Sequence, residues 1–193
     1  MKNVLFLMTD QQRSDQMGAS LGFDMPNIDT IAEAASFHCV TVNPICTPAR
    51  CALLTGRYPR QIGMITMSGD LDYQIPTMPH ALQKAGYVTY GIGKYHFMQT
   101  WPWGTGRGGG WDFLKNEPAM HRFGFDYVWE TAGKQQMIQN YDHYCAYLDR
   151  KGMLEGYRDF IIESGGNNGD TADHNYDQTH PFPYPEEDYV DVV

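Results

Sequence analysis

Short apolar runs alternate with helix-forming segments along the chain. Three runs have the length of buried strands: residues 4–8, 37–42 and 87–92. Four segments favour helices, several with Pro near the first turn or Gly after the last: residues 27–35, 48–54, 78–85 and 141–151. Because uninterrupted apolar strands alternating with helices are typical of parallel sheets, the sequence predicts an α/β fold with a mainly parallel sheet.

Charge is distributed unevenly along the sequence. The net charge is −9 over 193 residues, and residues 170–193 contain seven Asp and Glu but no Lys or Arg. Nucleic acid is therefore not expected as a partner, because binding its backbone needs a basic face. The rest of the chain is close to neutral and is compatible with an anionic substrate.

No apolar run approaches the roughly 20 residues that a membrane span needs, so no membrane partner is expected. Residues 1–8 lack the long apolar stretch and the small-residue cleavage site of a secretory signal. As written, the chain is expected in the cytoplasm. It is expected in the periplasm or outside the cell if an upstream segment is missing.

Two residues in one short segment suggest nucleophilic chemistry. Cys46 lies where a helix is predicted to begin, and backbone N–H groups and the helix dipole favour a negatively charged nucleophile there. Arg50 lies one turn further along the same face and is suited to hold an anionic ester by paired hydrogen bonds. For an isolated pair, a buried structural Cys and a surface Arg would be the more common arrangement.

The surrounding string decides between these interpretations. Residues 44–56, PICTPARCALLTG, resemble the sulfatase signature, in which Cys-x-Pro-(Ser/Ala)-Arg directs oxidation of the Cys to formylglycine. Residues 86–96, GYVTYGIGKYH, resemble the second sulfatase signature, which ends in Gly-Lys-aromatic-His. The similarity also includes residues 25–29, 57–59 and 124–126, and it covers roughly residues 2–165.

The resemblance implies a role for each matched residue. Cys46 would become formylglycine, Arg50 and Lys94 would contact the sulfate oxygens, and His96 would hydrogen-bond the formylglycine hydrate. One hydroxyl of that hydrate attacks the sulfur and releases the alcohol, and the second then expels sulfate. The implied substrate is a small-molecule or glycan sulfate ester, and the implied partner is a formylglycine-generating maturation enzyme.

The resemblance also implies one divalent cation, usually Ca²⁺. Asp10, just past the first predicted strand, is the matched ligand, and Gln11 and the modified Cys46 complete the set that this sequence offers. Many sulfatases have a second Asp where this chain has Gln11. The amide adds no charge, so the coordination set departs from the family pattern at that position.

The fold that the resemblance implies is an alkaline-phosphatase-like sandwich, which normally needs well over twice this length. We expect residues 1–165 to form the N-terminal part of the catalytic domain. Residues 166–193 are expected to be an acidic, Pro-containing connector leading into a missing C-terminal half. A chain truncated in this way would be inactive and marginally stable, with an incomplete metal site and an exposed sheet edge.

Two alternatives remain open from the sequence. A formylglycine-dependent phosphonate monoester or phosphodiester hydrolase can share the Cys-x-Pro-x-Arg motif. A non-catalytic fragment that binds anions or a protein partner is the alternative from a different class.

Overall fold

The computed structural model describes residues 2–10, 12, 26–32, 37, 39–98, 107–164 and 181–189. The chain divides into two compact units, Met1–Thr41 and Val42–Val193. Among the described residues, no helix is long and apolar enough to cross a membrane.

The first unit contains helix α1, Pro26–Ala32, and an exposed apolar segment. Residues 4–8 expose between 47% and 81% of their surface and belong to no strand. The described residues between 37 and 42 form no strand either. Both strand predictions are therefore wrong for this structure. An apolar run becomes a strand only when a neighbouring backbone supplies its hydrogen bonds, and the described residues supply none.

The second unit contains the regular elements that surround the candidate site. Its α-helices and strands are α2 Cys46–Thr55, α3 Met78–Lys84, β1 Tyr90–Gly93, α4 Phe113–His121, β2 Tyr127–Glu130, α5 His143–Arg150 and α6 Leu154–Glu163. Short 3₁₀ helices occur at Pro59–Gln61, Lys134–Ile138 and Glu186–Asp188. The predictions of α2, α3 and α5 are confirmed. The strand predicted over residues 87–92 is observed as β1 but spans Tyr90–Gly93, and α4, α6 and β2 were not predicted.

Local sequence sets the ends of these helices. Helix α2 ends at Gly56, which adopts the left-handed conformation (φ 66°) and donates its backbone N–H to Ala52 O at 2.8 Å. Asp112 and Asp142 precede α4 and α5, and each side chain accepts a hydrogen bond from a backbone N–H of the first turn. Each cap fixes the start of its helix, and α4 continues through Pro118 in its interior.

Strands β1 and β2 pair in parallel, in a register that sets Tyr90 opposite Tyr127 and Gly93 opposite Glu130. The two tyrosine rings stack with their centroids 4.7 Å apart. The carboxyl ends of both strands therefore meet at one edge of the sheet, where α/β folds place their ligands. This parallel pair, flanked by helices, confirms the predicted fold class.

The other end of the strand pair is fixed by Asp126. Its carboxylate accepts hydrogen bonds from the Thr89 backbone N–H at 2.7 Å and from the Gln83 side-chain amide at 2.8 Å. These bonds favour the ionised form and lower the pKa of Asp126. Nearby Gly124 has φ 93°, and a Cβ there would lie 2.6 Å from the His80 nitrogen, so only Gly fits.

Two apolar clusters stabilise the second unit. The first cluster packs between α2, α4 and the segment after β1: Cys51, Leu54, Ile62, Met64, Leu71, Tyr95, Phe97, Met98, Met120, Phe123 and Phe125. The second cluster packs between α5, α6 and the 3₁₀ helix before them: Met137, Ile138, Tyr144, Cys145, Leu148, Leu154, Tyr157 and Ile161. The candidate site is built from the polar residues that border these clusters.

Residues 181–189 are held against α5. The Asp188 carboxylate accepts hydrogen bonds from Lys151 Nζ and from Tyr147 Oη, and Tyr144 Oη donates to the Asp188 carbonyl at 2.6 Å. The rest of the predicted connector, residues 166–180 and 190–193, lies outside the described residues. Its role as a connector stays a prediction.

Asp142→Ala should destabilise the protein more than Asp112→Ala. Asp142 is fully buried and accepts bonds from the backbone N–H groups of Cys145 (2.7 Å) and Ala132 (2.8 Å) and from the Thr131 hydroxyl (3.0 Å). Removing it should lower the free energy of unfolding by about 3 kcal/mol. Asp112 only caps α4 and pairs with an exposed Lys115, so its loss should cost about 1 kcal/mol. Urea denaturation measures both, and equal losses would contradict this account.

Candidate functional site

Cys46 is the first residue of α2. It is partly exposed, and its Sγ lies 3.9 Å from Met67 Sδ. Within the described part of the chain no side chain caps this end of the helix, and Ile45 at the cap position has no acceptor atom in its side chain. Pro48 has no N–H and the Ala49 N–H donates to the Ile45 carbonyl at 3.1 Å, so the backbone N–H groups of Cys46 and Thr47 and the positive end of the helix dipole are the features suited to stabilise negative charge here.

Two other thiols in this unit have a different environment. Cys51 and Cys145 are fully buried in the first and second clusters. Burial raises the pKa of Cys51 to about 12, and it also raises the pKa of Cys145. Both stay protonated and serve as core residues, so among the cysteines of this unit Cys46 is the one accessible to another protein or a substrate.

Arg50 joins the two sequence motifs in space. It lies one turn after Cys46, is 9% exposed, and donates a hydrogen bond from Nη1 to the backbone carbonyl of Lys94. Helix α2 is thereby tied to the segment that follows β1. The two strings, about 40 residues apart in sequence, meet at this bond.

The segment after β1 alternates between the core and a pocket. Tyr95 and Phe97 pack into the first cluster, whereas Lys94 and His96 line a small pocket. The complete lining is Lys94, His96, Phe113, Glu130, Thr131, Ala132 and Gln136. The structure therefore brings Lys94 and His96 together, as the resemblance implies.

The backbone of His96 is unusual. Among the described residues it is the one non-glycine residue with φ in the left-handed region, at 60°. This conformation costs an L-residue about 1–2 kcal/mol, so neighbouring contacts must maintain it. Such strain is common at ligand sites, and here it affects a residue that sequence analysis singled out.

Glu130 is a member of this pocket that sequence analysis missed. It is the last residue of β2, is 5% exposed, and its carboxyl group accepts a hydrogen bond from the His96 backbone N–H. Burial, and then the charge of Asp142, raise the pKa of Glu130 to about 8. An acidic residue directly after the apolar stretch 127–129 was the available signal, since it stands at a strand's carboxyl end.

Asp142 fixes one wall of the pocket. Its carboxylate holds the Thr131 hydroxyl and the Ala132 backbone N–H while it caps α5. On the other side of Glu130, its backbone N–H donates to His143 Nδ1 at 3.1 Å. The second ring nitrogen, His143 Nε2, lies 3.3 Å from the Glu117 carboxylate. The wall that carries Glu130 is therefore held by side chains of α4 and by the start of α5.

The described residues do not assemble the implied cation site. Asp10 lies in the first unit and is exposed, and Gln11 lies outside the described residues. Within the described ranges, no group of three or more His, Cys, Asp or Glu side chains is arranged to hold a metal ion. The ligand set of Asp10, Gln11 and Cys46 stays a prediction.

Known proteins similar to this chain are sulfatases. A family model named Sulfatase matches residues 2–192. An uncharacterized sulfatase, YidJ, of Escherichia coli K12 is 40% identical over 108 residues, which is 54% of this chain and 22% of that protein. An N-acetylglucosamine-6-O-sulfatase of Bacteroides thetaiotaomicron is 35% identical over 100 residues, 50% of this chain and 18% of that protein.

A third curated relative is a choline-sulfatase of Rhizobium meliloti, 33% identical over 100 residues, which is 50% of this chain and 20% of that protein. The matches thus span about a fifth of the length of these relatives. Among solved structures, a phosphonate monoester hydrolase from Silicibacter pomeroyi superposes with a TM-score of 0.52 at 24% identity, covering 79% of this chain and 29% of that chain.

The solved structure confirms the predicted fold, an alkaline-phosphatase-like α/β architecture of which this chain covers a part. The family model covers nearly every residue of the chain. Together with the two signature motifs that meet at the Arg50–Lys94 bond, these matches show that the chain belongs to the sulfatase family.

Proposed function

We propose that this chain takes part in the hydrolysis of sulfate esters, with a formylglycine derived from Cys46 as the nucleophilic group. The observation that carries the proposal is the hydrogen bond from Arg50 Nη1 to the Lys94 carbonyl. It joins the Cys46 helix to the segment that presents Lys94 and His96. We assign one cationic side chain from each motif, Arg50 and Lys94, to the same anionic group.

The position of Cys46 supports its proposed modification. A maturation enzyme must reach the thiol, and Cys46 is partly exposed at the start of α2. A hydrated aldehyde there would sit beside uncapped N–H groups, which favour the oxyanion that must form before attack. The structure thus offers a suitable setting for the modified side chain.

Arg50 and Lys94 would hold the sulfate group and offset the charge that builds on its oxygens during transfer. Arg50 is fixed by burial and by the Lys94 carbonyl, so its guanidinium is preorganised. His96 lines the same pocket as Lys94, where its ring is suited to exchange a proton with the nucleophile or the leaving alcohol.

We also propose that Asp10 and Gln11 contribute to one divalent cation site, with Ca²⁺ as the expected ion and the modified Cys46 as a further ligand. A bound cation supplies Lewis acidity to the nucleophile and the sulfate oxygens. The described residues do not complete this ligand set. The proposed roles of Arg50, Lys94 and His96 do not depend on this ligand set.

The proposed substrate is a small-molecule or glycan sulfate ester. The names of two relatives indicate this range, since one is an N-acetylglucosamine-6-O-sulfatase and another a choline-sulfatase. The proposed protein partner is a formylglycine-generating enzyme. In the domain arrangement that accompanies this proposal, residues 1–165 belong to the catalytic domain and residues 166–193 form an acidic connector.

Cys46 should be converted to formylglycine when the chain is produced together with a maturation enzyme. Mass spectrometry of the peptide that contains Cys46 should show the mass decrease expected for a thiol becoming an aldehyde. Cys39→Ala, a change at an exposed cysteine outside the motif, should leave the conversion unchanged. An unmodified Cys46 in a folded chain would favour the non-catalytic alternative, a fragment that binds anions or a partner.

The converted protein should prefer an aryl sulfate to an aryl phosphonate monoester and an aryl phosphodiester, measured as kcat/KM. Because the matches span about a fifth of the relatives' length, the assay uses the longest gene product that contains this chain. A preference for the phosphonate or the phosphodiester would instead support the alternative hydrolase. Cys46→Ser should abolish multiple turnover, since Ser cannot become a hydratable aldehyde by the same route.

Arg50→Lys should lower kcat/KM for the aryl sulfate by about 10²-fold or more. Lysine retains the positive charge but lacks the planar set of N–H donors with which a guanidinium can bind an oxyanion and the Lys94 carbonyl at the same time. Because Arg50 belongs to the modification motif, rates are normalised to the converted fraction found by mass spectrometry. Arg60→Lys is the matched control, since Arg60 is exposed and lies outside both signature motifs. Equal rates for the two variants would rule out the proposed role of Arg50.

A further inference from the structure

Glu130 lines one pocket with Lys94 and His96, two of the residues that the proposed function places around the sulfate group. It ends β2 in register with Gly93, the last residue of β1, and the Thr131 backbone N–H donates to the Gly93 carbonyl at 3.1 Å. Lys94 and His96 lie in the segment that directly follows β1. A carboxyl group at this position lines the same pocket as Lys94.

The Glu130 carboxyl also supports the His96 backbone. It accepts the His96 N–H, and His96 is held in the left-handed conformation that non-glycine residues seldom adopt. Since side-chain direction depends on the backbone angles, this bond helps to aim the imidazole. Glu130 thereby influences a site residue through a backbone contact.

The charge state of Glu130 matters because the ligand is an anion. The carboxyl is almost fully buried, and the groups that face it are Asp142, Tyr95, Lys94, His96 and the His143 ring behind its backbone. Burial and Asp142 disfavour ionisation and raise the pKa of Glu130, whereas the His96 N–H opposes that shift. At neutral pH the carboxyl is mainly protonated, so a bound anion meets an uncharged wall.

We propose that Glu130 is a positioning residue of the anion site, whose carboxyl fixes the His96 backbone and, while protonated, leaves the pocket wall uncharged. Once Glu130 ionises, its negative charge repels the bound anion. This proposal rests on the proposed function for the identity of the anion. The contact with His96 is independent of it.

The first test follows the His96 backbone amide by NMR between pH 6 and pH 10, without ligand. In the unaltered chain, ionisation of Glu130 should strengthen the hydrogen bond and shift the amide proton downfield, with a midpoint near pH 8. Glu130→Gln keeps an acceptor oxygen but removes the titration, so this transition should disappear. Glu163→Gln, on the exposed part of α6, is the matched control and should behave like the unaltered chain. The same pH response in the Glu130→Gln variant would overturn the proposal.

The second test measures the dissociation constant of inorganic sulfate at pH 7 and pH 9. Sulfate remains a dianion across this range, so changes in affinity arise from the protein. Between pH 7 and pH 9, the sulfate affinity of the unaltered chain and of the Glu163→Gln variant should fall about tenfold more than that of the Glu130→Gln variant. The reason is that ionised Glu130 places a new negative charge beside the bound anion. Parallel weakening in all three proteins would also overturn the proposal.

The two measurements separate this inference from the proposed function. If the His96 amide follows Glu130 but sulfate binds none of the proteins at either pH, the sulfate site of the proposed function fails and the charge effect on the ligand fails with it. The positioning of His96 by Glu130 is then supported by itself. If sulfate binds and its affinity is independent of Glu130, the proposed function is unaffected and the further inference is rejected.

Discussion

The pairing of two four-residue strands determines most of the candidate site. Gly93 lies opposite Glu130, so the segment that carries Lys94 and His96 begins beside the segment that carries Thr131 and Ala132. A shift of the register by one residue would turn Glu130 to the other face of the sheet. The parallel direction matters equally, because it places both carboxyl ends at one edge.

Arg50 and Glu130, two ionisable side chains near this edge, are buried in different ways. Arg50 is nearly buried, and a backbone carbonyl accepts a hydrogen bond from its guanidinium. Glu130 is as deeply buried but avoids the cost of a buried anion by remaining protonated. This edge of the sheet thus combines a fixed cationic side chain with an acidic side chain whose ionisation is disfavoured.

Sequence reasoning located the parts of the site whose signals are local. Pro48 and Gly56 mark the extent of α2, and the structure begins that helix only two residues earlier than predicted, at Cys46. The match of residues 86–96 to a known signature identified Lys94 and His96. Glu130 matches no signature and has only a weak local signal, its position after an apolar stretch, because its burial and its contact with His96 arise from strand pairing 37 residues distant in sequence. The same dependence on distant partners explains the failed strand prediction at residues 4–8, whose apolar pattern is suited to a strand but lacks a described neighbour.

The Asp142 carboxylate stabilises two parts of the molecule at once. One oxygen caps α5, and the other holds the pocket wall at Thr131 and Ala132. Fraying of the first turn of α5 would therefore release the wall, and loosening of the wall would uncap the helix. We therefore expect the amide hydrogens on both sides of this carboxylate to exchange together, in local unfolding events that involve both the pocket wall and a helix absent from the pocket lining.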